Sequence, residues 1–242
     1  AGHEVWLIDA KARSAADLEQ LGREARAEID STLAMLSALG AFDDAQRSRI
    51  LGRIRFAGRD EASPALAQCD VVFEGVPEVI DAKAEAFAFA CATIRDDAIL
   101  ASTTSTILVT QLAGMVTHSE RFLNAHWLNP AYIVPLVELS PHPGTDAAVL
   151  SRMKGLLEAI GKVPVVCAPA PGFIVPRLQA LIMAEAARMI EDGVASAQDI
   201  DKATRYGFGF RFASMGVVEF IDYGGLDILY YACRYLAGEL GE

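Results

Sequence analysis

Two periodicities run along this chain of 242 residues. Up to about residue 168, short apolar runs alternate with stretches in which apolar positions recur every three to four residues. Beyond that point only the helical period remains. A short apolar run bounded by turn signals reads as a buried strand, and an i, i+3, i+4 stripe reads as a helix. Val5 to Ile8 is the first strand, and it ends at Asp9. Leu21, Ile29, Leu33 and Leu36 predict a helix over 14–39, and a second helix is expected over 43–51. A strand over 54–57, a short helix over 64–68, a buried strand over 70–76 and a helix over 81–94 follow. Next come a strand over 98–101 and a helix running to about Gly114. Phe122 to His126 and Ile133 to Glu138 read as two strands, joined by a loop carrying Asn129-Pro130 and Pro135. A helix over 146–160 stops at Gly161, and 163–167 is the last strand.

Strands alternating with helices are the pattern of an α/β fold with a parallel sheet. The run DVVFEGV over 70–76 is apolar on both faces, as a strand covered on both sides requires. Ala168-Pro-Ala-Pro-Gly172 marks a boundary. The remainder reads as helices over 178–192, 196–206 and 217–236. The division expected is therefore an α/β domain over 1–168 and an all-helical domain over 169–242.

Composition narrows the partners. Hydrophobic residues make up 52% and charged residues 22%, which fits a folded chain with a large core. The formal net charge of −11 argues against nucleic acid or an anionic membrane surface as the main partner. It leaves room for a phosphorylated cofactor, because such sites are built from local charge and backbone amides. Cys69, Cys91, Cys167 and Cys233 form no CxxC pair and no metal-ligand spacing with a histidine, so no metal is expected. Cysteine used as a small hydrophobe suits a reduced, cytoplasmic setting. The apolar stretch Leu178 to Ile190 is interrupted by Glu185 and Arg188 and is too short to span a bilayer.

The chemistry concentrates in a few places. Two adjacent strands with a tight return would set the carboxylate of Glu138 against the imidazole of His126. Such a carboxylate fixes the tautomer, and the other ring nitrogen can then take a proton. Spacing alone does not separate this from a buried histidine satisfied by a structural acid. Asp9, at a strand end, can accept hydrogen bonds from an adenosine ribose and repel a 2′-phosphate, favouring NAD over NADP. A helix cap or loop acid is the alternative. The Gly-rich loop that accompanies such an Asp is absent. Ala1-Gly2-His3-Glu4 leads straight into what reads as a second strand, so about two dozen preceding residues are expected from the size of a βαβ unit. Glu78 and Lys83 stand where a strand end faces a ligand, or are an ordinary helix-start acid and a solvated lysine. Ser102 to Thr106 (STTST) are helix-cap candidates first, and can also meet a substrate oxygen or a nicotinamide. Arg47, Arg49, Arg53, Arg55 and Arg59 could hold the phosphates of coenzyme A, or form a solvated face.

Taken in order, Asp9, VVFEGVPE (71–78) with Lys83, ASTTST (101–106), AHWLNP (125–130) with LVE (136–138), PGFIV (171–175) with Arg177-Leu178, and the acidic run 191–201 resemble the L-3-hydroxyacyl-CoA dehydrogenase family. The resemblance covers nearly the whole chain. The segment 135–143 is most similar to the lambda-crystallin/L-gulonate 3-dehydrogenase branch. The resemblance implies a Rossmann-type domain that binds NAD, lacking its N-terminal strand and Gly-rich loop here, followed by a helical domain for substrate binding and homodimer formation. It implies oxidation of a 3-hydroxyacyl-CoA in fatty acid metabolism, with His126 as base and Glu138 as its orienting carboxylate. Ser105 and Asn129 fall on the substrate side, and Asp9, Glu78, Lys83 and Ser105 on the cofactor side. A free 3-hydroxy acid such as L-gulonate, or a non-catalytic crystallin-like role, are the alternatives. One position departs. Where the family carries an Asn that reaches the substrate oxygen, this chain has Pro176, which offers no donor. Losing one such donor can cost about 100- to 1,000-fold in rate, unless Ser105 or a water replaces it. The C-terminal end is also short for the family.

Overall fold

The computed structural model describes residues 2–240; Ala1, Gly241 and Glu242, and with them both chain ends, lie outside the described residues. The chain divides into two compact units between Arg177 and Leu178.

In the first unit the order is β1 (Val5–Asp9), α1 (Ala15–Ala38), α2 (Asp44–Leu51), β2 (Ile54–Gly58), a short α3 (Ser63–Leu66), β3 (Val71–Glu74), α4 (Ile80–Cys91), β4 (Ile99–Ser102), α5 (Val109–Ala113), β5 (Phe122–Trp127), β6 (Leu136–Pro141), α6 (Ala147–Ala159) and β7 (Val163–Val166). The starts of α1 and α2 follow from local chemistry. Ser14 caps α1 by accepting from the Asp17 N–H, and Asp43 and Gln46 form a reciprocal capping box at α2.

The expectation of one parallel sheet is met in kind and corrected in detail. β1 and β2 form a separate parallel pair, and β3-β4-β5-β6-β7 form a second sheet in that order. Within it β5 and β6 run antiparallel, while the other neighbours are parallel. The reason lies in the connection. Residues 128–135 are too few for a parallel crossover, which takes about a dozen or more, but suffice for a return. The second of these strands also starts later than the apolar run suggested, at Leu136 and not Ile133, because a turn occupies 130–133.

Alternation along the strands distributes two cores over the two faces of the five-stranded sheet. Leu100 and Phe122 pack with Phe87 and Ala90 of α4 and Val109 and Leu112 of α5. Ile99, Ala101, Leu123, Ala125, Val137 and Leu139 pack instead against Val149, Met153 and Leu157 of α6. Helices on both faces explain why these strands read as nearly continuous apolar runs.

The helix α7 (Val175–Glu191) starts at the end of the first unit and continues into the second, which holds α8 (Ala197–Thr204), α9 (Phe210–Phe212), α10 (Val217–Gly224) and α11 (Leu226–Leu240). The helix expected over 217–236 is broken in two. Gly225 sits at φ +93°, a conformation that ends α10 and that glycine adopts at no steric cost.

Candidate active site

The antiparallel return places His126 of β5 directly opposite Glu138 of β6 in the ladder. Both side chains are buried, Glu138 completely. The Nδ1–H of His126 donates to Glu138 Oε2 at 2.8 Å. A carboxylate only accepts, so this bond puts the proton on Nδ1 and leaves Nε2 with its lone pair. The other carboxylate oxygen, Oε1, accepts two backbone N–H groups, from Ile174 and Val175, both at 2.8 Å. These two amides belong to the turn that opens α7, where N–H groups have no partner within the helix. Gly172 at φ +78° and Phe173 at φ +47° create that turn. The ring of Phe173 then lies flat on the imidazole, centroids 5.0 Å apart and planes 12° apart. The imidazole is thus held edge-on by Glu138 and face-on by Phe173.

A second buried constellation sits at the ends of β3 and β4. Lys83, on α4, is 1% exposed and donates to both oxygens of Glu74 at 3.0 and 3.2 Å and to the carbonyl of Val76 at 3.2 Å. It also lies 3.4 Å from Glu78 Oε2. Ser102 donates to Glu74 Oε2 at 2.6 Å, and the Val76 N–H donates to Oε1 at 2.7 Å. Thr104 directs its hydroxyl to both oxygens of Glu78 at 2.9 Å, and the Ser105 N–H donates to Oε1 at 2.6 Å. Burial would raise the Glu78 carboxyl, but the Ser105 amide, the Thr104 hydroxyl and Lys83 together hold it below its usual 4.5.

These contacts revise two readings and add two residues. Lys83 is not a solvated lysine; it is buried between Glu74 and Glu78. Ser102 to Thr106 do not cap α5, whose N-cap is Leu108 with no side-chain bond. Thr104 closes its own turn instead, accepting from the Thr106 and Ile107 N–H groups while donating to Glu78. Glu74 emerges as a hub that sequence reading missed, although a glutamate at the end of an apolar run was the available signal. Phe173 was missed as well, because a phenylalanine after glycine carries no mark of its backbone conformation.

Ser102 pairs with Asn124 in the ladder, so the loop after β4 leaves the sheet beside His126, two residues further along β5. That loop leaves Ser105 exposed, and Asn129 is exposed after the β5 end, where the Asn129-Pro130 peptide is cis. Pro176 occupies the first turn of α7, where a missing N–H costs no helical bond. Asp9 ends β1, and its side chain is 11% exposed. Burial raises its carboxyl, but Arg13 and the Lys11 N–H outweigh this and lower it. Three of the five arginines between 47 and 59 enter separate ion pairs. Arg47 pairs with Asp30, Arg55 with Glu4 and Arg59 with Glu85.

The donor set fits a nicotinamide dinucleotide. An acidic acceptor stands at the end of β1, and Glu78 and Ser105 lie at the C-terminal ends of the sheet strands, where open α/β sheets bind ligands. Among the described residues no group of histidine, cysteine and acid side chains could hold a metal ion, and no helix is long and apolar enough to cross a membrane.

Comparison with known proteins supplies the wider frame. Residues 1–170 match the family model "3-hydroxyacyl-CoA dehydrogenase, NAD binding domain", and residues 172–242 match "3-hydroxyacyl-CoA dehydrogenase, C-terminal domain". The chain is 33% identical to a 5-formyl-3-hydroxy-2-methylpyridine 4-carboxylate 5-dehydrogenase of Mesorhizobium japonicum, over 90% of this chain and 72% of that protein. It is 32% identical to the lambda-crystallin homolog of Rattus norvegicus, over 98% of this chain and 72% of that protein. The crystal structure of a 3-hydroxyacyl-CoA dehydrogenase from Archaeoglobus fulgidus superposes with a TM-score of 0.76 at 31% identity, covering 100% of this chain and 74% of that one.

Proposed function

Because the chain belongs to the 3-hydroxyacyl-CoA dehydrogenase family of NAD-dependent oxidoreductases, we propose that it oxidises an L-3-hydroxyacyl-CoA thioester at C3, with His126 as general base. The observation that carries the reading is the buried His126–Glu138 pair, bonded at 2.8 Å through Nδ1. Nε2 takes the proton of the C3 hydroxyl. The imidazolium so formed is stabilised by Glu138, whose second oxygen is already held by two amides and cannot turn away. NAD, when bound, supplies the hydride acceptor. Asp9 holds the adenosine ribose, Ser105 and Asn129 line the substrate side, and Glu78 is kept ionised and fixed by Lys83, Thr104 and the Ser105 amide. Ser105 is the side chain that stands in for the donor missing at Pro176. It is exposed, and its own N–H is bound to Glu78, which sets its position.

A second reading keeps the base and replaces the thioester by a free acid. Its support is that Arg47, Arg55 and Arg59 are engaged in separate ion pairs with Asp30, Glu4 and Glu85. Relatives named for a pyridine carboxylate fit the same idea. The second unit suits association with a second copy of the chain. α11 has no buried residue, yet it presents Leu226, Ile228, Tyr230, Tyr231 and Leu236 to solvent.

Absorbance at 340 nm with NADH and acetoacetyl-CoA, against NADH and a free 3-oxo acid, tests both readings. Turnover of the thioester alone supports the first. Turnover of the free acid alone replaces it with the second. His126→Gln is expected to lose about 100- to 10,000-fold in kcat. Wild-type turnover in that variant removes His126 as the base, and no turnover of either substrate by the parent protein returns the fold to a non-catalytic role.

A further inference from the structure

We propose that the adenosine-ribose end of the cofactor site also accepts a 2′-phosphate, so that NADP(H) binds there as well as NAD(H), and that Arg13 is the residue that sets the ratio. The proposal rests on the reading of Asp9 as the ribose acid.

An Asp at this strand end discriminates in two ways. It accepts a hydrogen bond from the 2′-hydroxyl, and its negative charge repels a phosphate at the same position. The second effect requires a bare carboxylate, and Asp9 is not bare. Oδ2 accepts from Arg13 Nε, and Oδ1 accepts from the Lys11 N–H at 3.1 Å. Arg13 stands one turn on in sequence, immediately before the Ser14 cap of α1. Its guanidinium is a planar fork with five donors, and the bond to Asp9 uses Nε. The two terminal nitrogens remain for a second anion. A guanidinium bound edgewise to a carboxylate can therefore neutralise it and still present a phosphate-binding edge.

The surroundings supply space and further charge. Lys11, Arg13 and Arg59 line one cleft of about 180 Å³ together with Gly58, Asp60 and Glu61. Arg59 is already committed, donating to the Ala10 carbonyl and to Glu85, both at 2.7 Å, and lying 4.8 Å over the Phe89 ring. Among the described residues Lys11 forms no ion pair, and its side chain is exposed. The cations open to a phosphate are thus Lys11 and the outer edge of Arg13. Asp60 and Glu61 face the same cleft and limit the gain, so the phosphate is tolerated more than it is preferred.

Fluorescence titration of the full-length protein with NADH and with NADPH reads this directly, without turnover. NADPH is expected to bind within about tenfold of NADH. Arg13→Gln keeps much of the stem and removes the charge, and is expected to weaken NADPH at least tenfold while NADH changes by less than about threefold. Lys11→Gln should shift the ratio in the same direction and less. Displacement of NADH by 2′,5′-ADP should exceed that by 3′,5′-ADP, which carries the phosphate pattern of coenzyme A. NADH binding with NADPH more than a hundredfold weaker, a ratio unmoved by Arg13→Gln, or preference for 3′,5′-ADP each overturns the proposal. Asp9→Asn distinguishes failure of the underlying reading: if NADH affinity ignores it, Asp9 is not the ribose acid and the proposal falls with that assignment.

Discussion

The imidazole of His126 lies flat against the ring of Phe173, with centroids 5.0 Å apart and planes 12° apart. Phe173 reaches this position with a positive φ of 47°, an uncommon conformation for a bulky residue. The same turn aims the Ile174 and Val175 amides at Glu138. One short segment therefore fixes both members of the pair, one through its face and the other through its carboxylate.

Loss of that face should be felt in turnover more than in cofactor binding. Phe173→Leu keeps an apolar side chain but removes the flat surface, so the imidazole gains rotational freedom. A kcat reduced about tenfold with an unchanged Kd for NADH is expected, since small misplacements of a reacting group cost rate. Steady-state kinetics and a fluorescence titration on the same preparation check it. An unchanged kcat would show that Glu138 alone orients the ring.

Glu138→Gln tests the other hold. The amide keeps the shape but cannot compensate an imidazolium, and its NH₂ end opposes any N–H it faces. A kcat lowered by about 100- to 10,000-fold is expected, with a smaller change in KM. Parallel circular dichroism must show the native spectrum. Retention of most activity by a folded Glu138→Gln protein would reduce the pair to a structural contact.

Lys83 and Glu74 are 1% and 4% exposed at the side chain and 3.0 Å apart. Removing one partner leaves a buried charge without its counter-ion, which costs about 3–5 kcal/mol. Lys83→Met is expected to lose that much in urea unfolding. The double variant Lys83→Met/Glu74→Gln should recover a good part of it, because no buried charge then remains. Additive losses would show that the two side chains act independently.

Glu78 predicts a direction for stability against pH. Its folded carboxyl titrates below the usual 4.5, because the Ser105 amide, Thr104 and Lys83 outweigh the effect of burial. The unfolded chain therefore binds the proton more readily. The contribution of Glu78 is present above about pH 4.5 and is lost as the pH falls through its lowered folded value. Urea unfolding at pH 6 and at pH 3.5 should show a smaller acid loss for Glu78→Gln than for the parent protein. An identical loss in both would assign the acid sensitivity to other carboxylates.

Much of this was legible in the linear sequence. The alternation of apolar runs and helical stripes determined the α/β unit followed by helices, since burial on two faces and burial along one stripe leave different periods. The order of short motifs determined the family, and the spacing of His126 and Glu138 suggested their meeting. What tertiary structure alone decided are relations that have no period. The antiparallel turn between β5 and β6 set the ladder register that puts His126 opposite Glu138. The left-handed turn at Gly172 and Phe173 brought two amides from far along the chain to Glu138. Packing of α4 on the sheet took Lys83 out of water and joined it to Glu74, a pairing between strand end and helix that neither residue signals alone. At Asp9 the residue type spoke for one cofactor, and only the fold set the Arg13 guanidinium against its carboxylate.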